Sequence, residues 1–95
     1  MSTLTTERGR NYGHPRHQFV CVEKMYVAWT DRRDAAIASG DAEDLGGDRE
    51  HCLRHSVYMM LTKLSRAATN PMHIDNWDDI EGYAECFKMC VEDDT

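Results

Sequence analysis

Long apolar runs are missing from this sequence of 95 residues. No stretch reaches the roughly 18 consecutive apolar residues that a membrane-spanning helix needs, so the sequence predicts no membrane span. The first ten residues, MSTLTTERGR, also lack the apolar centre of a secretory signal peptide. We therefore expect a protein that does not associate with membranes and, by default, a cytoplasmic location.

Helix-breaking residues and large aromatic side chains are also few. Only two Pro and six Gly interrupt the chain. Two Trp, four Tyr, two Phe and six Met are enough for three packed helices but too few for two sheets. Because a chain of this length buries only about two thirds of its unfolded surface, it forms a single modest core. We therefore predict one domain that gains stability as a homo-oligomer.

Basic side chains are scarce in the second part of the chain. Residues 41–95 carry thirteen acidic and five basic side chains, whereas residues 1–40 carry four acidic and six basic ones. The formal net charge is -6. Proteins bind duplex nucleic acid largely through Lys and Arg that neutralise phosphates, so this charge excludes duplex nucleic acid as the expected partner. The basic first part and the acidic second part are instead expected to meet, within one chain or between copies.

The sequence does contain apolar residues at helical spacing. Three stripes repeat every three or four residues, the spacing of one helix face. They predict helices over about residues 15–36, 49–68 and 75–91. The stripes are Phe19, Val22, Tyr26 and Trp29; Leu53, Val57, Met60 and Leu64; and Trp77, Ile80, Ala84, Phe87 and Val91.

Turn and capping residues complete the predicted fold. The acidic, Gly-rich segment 40–48 has no periodicity and is predicted to be a loop, with Asp48 as the N-cap of the second helix. Asp75 or Asn76 is predicted to cap the third helix. The fold class is therefore all-α: a three-helix bundle (residues 15–95) preceded by a flexible arm (residues 1–14). The second and third helices should form an antiparallel pair, with the first packed across them.

The stretch HIDNWDDIEGY, residues 73–83, contains more polar residues than a plain helix start needs. Capping and the helix dipole account for part of it, and Trp77 is expected to point inward. The remaining residues, with Gly82 where another backbone or a ligand would approach closely, predict a second face. Lys63 or Arg66 at the end of the second helix should pair with Asp75 or Asp79. This face is either a structural ion-pair network or a polar pocket for a small anionic or nucleotide-like ligand.

These motifs, in order along nearly the whole chain, resemble those of a family of small all-helical phage and prophage proteins. The resemblance covers RGRNYGHP, the MLTKLSR run and HIDNWDDIEGYA. It implies a phage origin and a helical fold but assigns no activity. The matching positions are Arg8, Tyr12, Gly13, Lys63, Arg66, Asp75, Asn76, Asp79, Gly82 and Tyr83.

A weaker resemblance is to the all-helical nucleotide pyrophosphohydrolases of the MazG kind. Those enzymes hold Mg²⁺ with carboxylates from two neighbouring helices, because a hard cation prefers several anionic oxygens. Here Asp75, Asp78 and Asp79 supply one half of such a site, but the second helix has no acidic residue after Glu50. Hydrolysis of this kind is therefore the alternative function.

A zinc site is a further alternative. His51 and His55, and likewise Cys86 and Cys90, lie four residues apart, so each pair shares one helix face. Exposed His near a helix start and Cys as a small core residue explain both pairs better than a zinc site does. Since nothing indicates secretion, we expect the four cysteines, which include Cys21 and Cys52, to be reduced thiols.

We therefore predict a cytoplasmic, phage-encoded helical protein that self-associates and acts by binding a host protein or a small anionic ligand. No catalytic residue, metal or cofactor is expected. The predicted ligand-binding residues are Tyr12, Lys63, Arg66, Asp75, Asp79 and Tyr83.

Overall fold

The computed structural model describes residues 13–92 and contains three α-helices in this part of the chain. They are α1 (Pro15–Ser39), α2 (Gly47–Thr69) and α3 (Ile74–Glu92). The predicted all-α class with three helices is confirmed. The predicted arm, apart from its last two residues, lies outside the described residues. None of the described helices is long and apolar enough to cross a membrane.

Helix α1 begins at a side-chain cap that the sequence analysis did not predict. The ring Nδ1 of His14 accepts a hydrogen bond from the backbone N–H of Arg16 at 3.0 Å, and Pro15 occupies the first helical position, where its missing N–H costs nothing. The helix ends at Gly40, whose φ of 84° is in the left-handed region. The N–H of Gly40 donates to the carbonyl of Ile37.

The predicted caps of the other two helices are wrong. Gly46, with φ 79° and no side-chain capping bond, is the N-cap of α2, so Asp48 lies in the first turn. The positive φ of Gly46 lets the chain enter the helix earlier than predicted. Helix α3 begins at Ile74, which places Asp75 and Asn76 inside the helix. Asp48 and Asp75 therefore stabilise their helices through a favourable interaction with the helix dipole and do not cap the helix ends.

Helix α2 lies between the other two helices. Both α1 and α3 pack against α2, whereas no Cα atom of α1 comes within 8 Å of a Cα atom of α3 in the described chain. The expectation that the first helix packs across the other two is wrong in this detail. The reason is that α1 and α3 contact opposite edges of α2, so the three helices form a layer.

The apolar core of the described residues is very small. Only Val22 and Ala67 are buried apolar residues there. Trp77, predicted to point inward, is 41% exposed, and its indole N–H instead donates to the carbonyl of Pro71 at 2.8 Å. Phe19, also on a predicted stripe, is 67% exposed. The apolar stripes do lie on helices, but the described residues leave much of their surface exposed.

Candidate functional site

The α2–α3 hairpin contains the ion pair that the sequence predicted. Lys63 Nζ lies 2.9 Å from Asp79 Oδ2. The Lys63 side chain is only 14% exposed, whereas the Asp79 side chain is 47% exposed. We call this contact the hairpin pair. It joins α2 to α3 and orients the lysine between the two helices.

The other predicted ligand-binding residues are not all brought together. Asp75 is exposed, and its carboxylate lies 3.8 Å from His73 Nε2 and not beside Lys63. Arg66, in the last turn of α2, and Tyr83, in the middle of α3, are half-buried. Tyr12 lies outside the described residues. The role of these residues in ligand binding stays a prediction.

Asn76 is the most deeply buried side chain that the structure describes. It is 2% exposed, and its amide Nδ2 has no hydrogen-bond partner. Leaving a buried amide donor without an acceptor costs about 1–3 kcal/mol. The sequence analysis treated Asn76 as a helix cap and gave no sign of this buried donor.

The two glycines of the resemblance behave differently. Gly82, expected at a close approach, has open space where a Cβ would stand. No other described backbone approaches it, because the Gly82 side of α3 faces neither of the other helices, and the approach of a ligand there stays a prediction. Gly13 instead has φ 78°, and a Cβ there would lie 3.2 Å from Cγ2 of Thr69. The close approach is therefore between the start of α1 and the end of α2.

The candidate metal ligands do not converge. Within residues 13–92, no group of three or more His, Cys, Asp or Glu side chains lies close enough together to hold a metal ion. The arrangement thus supports neither the zinc site of His51, His55, Cys86 and Cys90 nor a carboxylate cage. None of the four cysteines is paired in a disulfide.

The α1–α2 junction contains an ion-pair cluster that the sequence analysis missed. Arg33 binds both carboxylate oxygens of Glu50, with Nε at 3.2 Å from Oε2 and an amino nitrogen at 2.6 Å from Oε1. Arg54 Nε donates to Glu50 Oε2 at 2.9 Å, and its amino group binds Asp34 at 2.7 Å. We call these four residues the Glu50 cluster. The spacing of Glu50 and Arg54, four residues apart on one helix, was the signal that could have revealed it.

The Glu50 cluster also fixes the loop between α1 and α2. Glu50 Oε1 accepts the backbone N–H of Leu45 at 3.1 Å, and Arg33 donates to the carbonyl of Glu43 at 2.7 Å. The Arg33 hydrogen bonds, with help from Leu45 and Arg54, lower the pKa of Glu50 from 4.5 to about 2. In turn, Asp34 and Glu50 raise the pKa of Arg54. The charged groups of the cluster bind one another and the neighbouring backbone, which indicates a structural role.

The contacts of α2 divide its surface into two edges and two faces. Glu50, Arg54, Tyr58 and Ser65 contact α1, and Lys63 contacts α3. At about 100° per residue, Leu53, Val57 and Leu64 lie between these edges on one side, whereas His55 and Thr62 lie on the other.

Helices α1 and α3 contribute further apolar side chains on the same side of the layer as Leu53, Val57 and Leu64. A groove between α1 and α2 contains Phe19 and Glu23 together with Tyr58 and Thr62, which places those residues on the side of His55. Met25, about 120° from Phe19 around the helix, therefore lies on the other side of α1, and Trp29 lies between Met25 and the buried Val22. By the same spacing, Trp77, Ala84 and Val91 of α3 lie opposite Asp79. We call this surface the apolar face: Met25, Trp29, Leu53, Val57, Leu64, Trp77, Ala84 and Val91.

The exposure of the apolar face shows that the rest of residues 13–92 does not cover it. Leu64 is 40% and Trp77 is 41% exposed. Met25, Trp29 and Val57 are only half-buried. Side chains of this kind are normally enclosed in a stable domain, and contiguous exposure of them marks an interaction surface.

Comparison with known proteins gives one relative and one family. The chain is 28% identical over 87 residues to the Gene 55 protein of Mycobacterium phage D29, covering 92% of this chain and 47% of that protein. It thus spans about half the length of this curated relative, and no solved structure matches it. The relative supports the phage-associated family expected from the motifs, but not the likeness to pyrophosphohydrolases. A family model matches residues 1–91, so the chain belongs to the family described as Domain of unknown function (DUF6378).

Proposed function

We propose that this phage-associated protein acts in the host cytoplasm by binding another protein through its apolar face. The observation that supports this proposal is the incomplete core: large apolar side chains from all three helices lie on one side of the layer, only partly covered by the described residues. Burying apolar surface contributes about 25 cal/mol per Å², so covering this face strongly favours association. The ion pairs between helices lie at the two junctions, Arg33 with Glu50 between α1 and α2 and Lys63 with Asp79 between α2 and α3.

Site-specific photo-crosslinking in the host cell tests the proposal. The photoreactive residue p-benzoylphenylalanine replaces Leu64 on the apolar face or, as a matched control, His55 on the opposite side of α2. We expect a protein crosslink from position 64 and a much weaker one from position 55. Crosslinks of equal yield at both positions, or none from position 64, would contradict the proposal.

A second candidate function is the binding of a small anionic or nucleotide-like ligand at the hairpin. The buried, unpartnered amide of Asn76 favours it, because such a donor suits an anionic oxygen. Lys63, Arg66, Asp75, Asp79 and Tyr83, with Tyr12 from the arm, are the residues proposed to bind the ligand.

Thermal shift without added metal tests this ligand site. Inorganic phosphate or a nucleoside triphosphate should raise the melting temperature of the parent chain but not of Lys63→Met. Lys24→Met, at an exposed position of α1, is the control that should keep the response. If neither compound changes the melting temperature of the parent, this candidate is wrong.

A further inference from the structure

We propose that a second copy of this chain covers the apolar face, giving a two-layer dimer of six helices. This inference rests on the proposed function and names its partner. The starting point is the core: Val22 and Ala67 are the only buried apolar residues in the described part of the chain. Folding must offset a conformational entropy of about 1–2 kcal/mol per residue, so a core in which most apolar side chains stay partly exposed gains stability from further cover. A second copy of the chain is supplied in equal amount wherever the chain is made.

The dimensions of the face fit a second copy better than a single helix. From Trp77 to Val91 the apolar face extends about 21 Å along α3, and three helices packed about 9–10 Å apart make a layer about 28 Å wide. The face therefore measures about 600 Å² per chain. One added helix would cover only a third of that width, whereas an identical layer covers all of it. The total of about 1,200 Å² reaches the lower end of the range for stable protein interfaces.

Charge favours one of the two ways of stacking the layers. Helix α3 carries six acidic and one basic side chain, whereas α1 carries three acidic and four basic ones. Placing the two α3 helices over each other would bring like charges together. A two-fold axis parallel to α2 instead places α3 of each copy over α1 of the other. Trp29 of one chain then lies near Trp77, Ala84 or Val91 of its partner.

Analytical ultracentrifugation of the full chain tests the dimer. We expect a mass of twice 10.9 kDa at tens of micromolar. Leu64→Glu should weaken dimerisation at least tenfold, because it places a charge in the interface. Phe19→Glu is the matched control, since Phe19 is 67% exposed on the opposite side of the layer and its loss should leave the dimer intact.

Two further measurements keep the proposal open to refutation if Leu64→Glu does not fold. The melting temperature of the parent chain should rise with protein concentration, because only a dimer gains stability by mass action. A photoreactive residue in place of Met25 should crosslink to α3 of the second copy. A monomer at 100 micromolar with a concentration-independent melting temperature overturns the dimer. If position 64 still crosslinks to a different protein, the dimer is wrong but the proposed function stands.

Discussion

The two helix junctions of this protein are joined by ion pairs of very different construction. At the α1–α2 junction, the carboxylate of Glu50 is 11% exposed and accepts hydrogen bonds from Arg33, Arg54 and the backbone of Leu45. At the α2–α3 junction, Lys63 meets one carboxylate, on Asp79, whose side chain is 47% exposed. A buried carboxylate with several donors loses all of them together when it is removed, whereas a half-exposed pair is largely replaced by water.

The largest expected effect is that of Glu50→Ala. Removing the carboxylate leaves Arg33 and Arg54 close together without their shared partner and frees the N–H of Leu45. We expect the free energy of unfolding to fall by roughly 2–3 kcal/mol, measured by chemical denaturation. Glu85→Ala is the control, because Glu85 is exposed and lies 3.8 Å from Lys88. If both variants lost a similar small amount of unfolding free energy, the α1–α2 junction would not be the stronger of the two.

Lowering the pH below about 4.5 should weaken the α1–α2 junction. The folded pKa of Glu50, about 2, lies below its usual 4.5, so the unfolded chain takes up a proton first. The stabilisation by Glu50 is therefore complete above about pH 4.5 and is lost as the pH falls from there towards 2. Denaturation curves recorded across this window should show a steeper decline for the parent than for Glu50→Gln. Parallel declines would contradict the role of this group.

The hairpin pair should contribute less. Asp79→Ala removes a partner that is half-exposed, and the nearly buried Lys63 can still reach water through its flexible chain. We expect a loss of about 1 kcal/mol in the free energy of unfolding. Asp75→Ala, at a carboxylate 81% exposed, should change it less. A loss equal to that of Glu50→Ala would show that the hairpin pair is buried in the working protein.

Gly82→Ala should produce the smallest effect, and in the opposite direction. The added Cβ meets open space in the structure, and Ala is the better helix former. We expect a gain of about 0.5–1 kcal/mol in the free energy of unfolding. Gly13→Ala should instead destabilise, because its φ is 78° and Thr69 is 3.2 Å away. A loss on Gly82→Ala would indicate a partner or ligand against this side of α3.

The sequence predicted the helices well because their signal is local. Apolar residues spaced three or four apart report the helix directly, whatever lies on the other side. The hairpin pair was predictable for a related reason, since a short link between α2 and α3 brings Lys63 close to Asp79. The three-helix fold and this one contact thus followed from spacing alone.

The sequence could not show how deeply each apolar residue of a stripe is buried. Trp77 fits the apolar pattern as well as Ile80 does, but its indole N–H bonds to Pro71 at the edge of the layer. The Glu50 cluster joins residues 17 and 20 positions apart in the chain, a separation at which charge pairs leave no periodic trace. Asn76 looked like a helix cap because the sequence does not fix the start of the helix, which lies two residues earlier at Ile74 and turns the Asn76 side chain into the layer.

The central position of α2 has a consequence for how the protein opens. Because α1 and α3 each contact α2 but not one another in the described residues, the helices are coupled only to their neighbours in the chain. Such nearest-neighbour coupling lets one outer helix detach while the other two remain together, as in a repeat protein. Native-state hydrogen exchange should therefore resolve α1 and α3 as separate cooperative units, with the slowest-exchanging amides in α2.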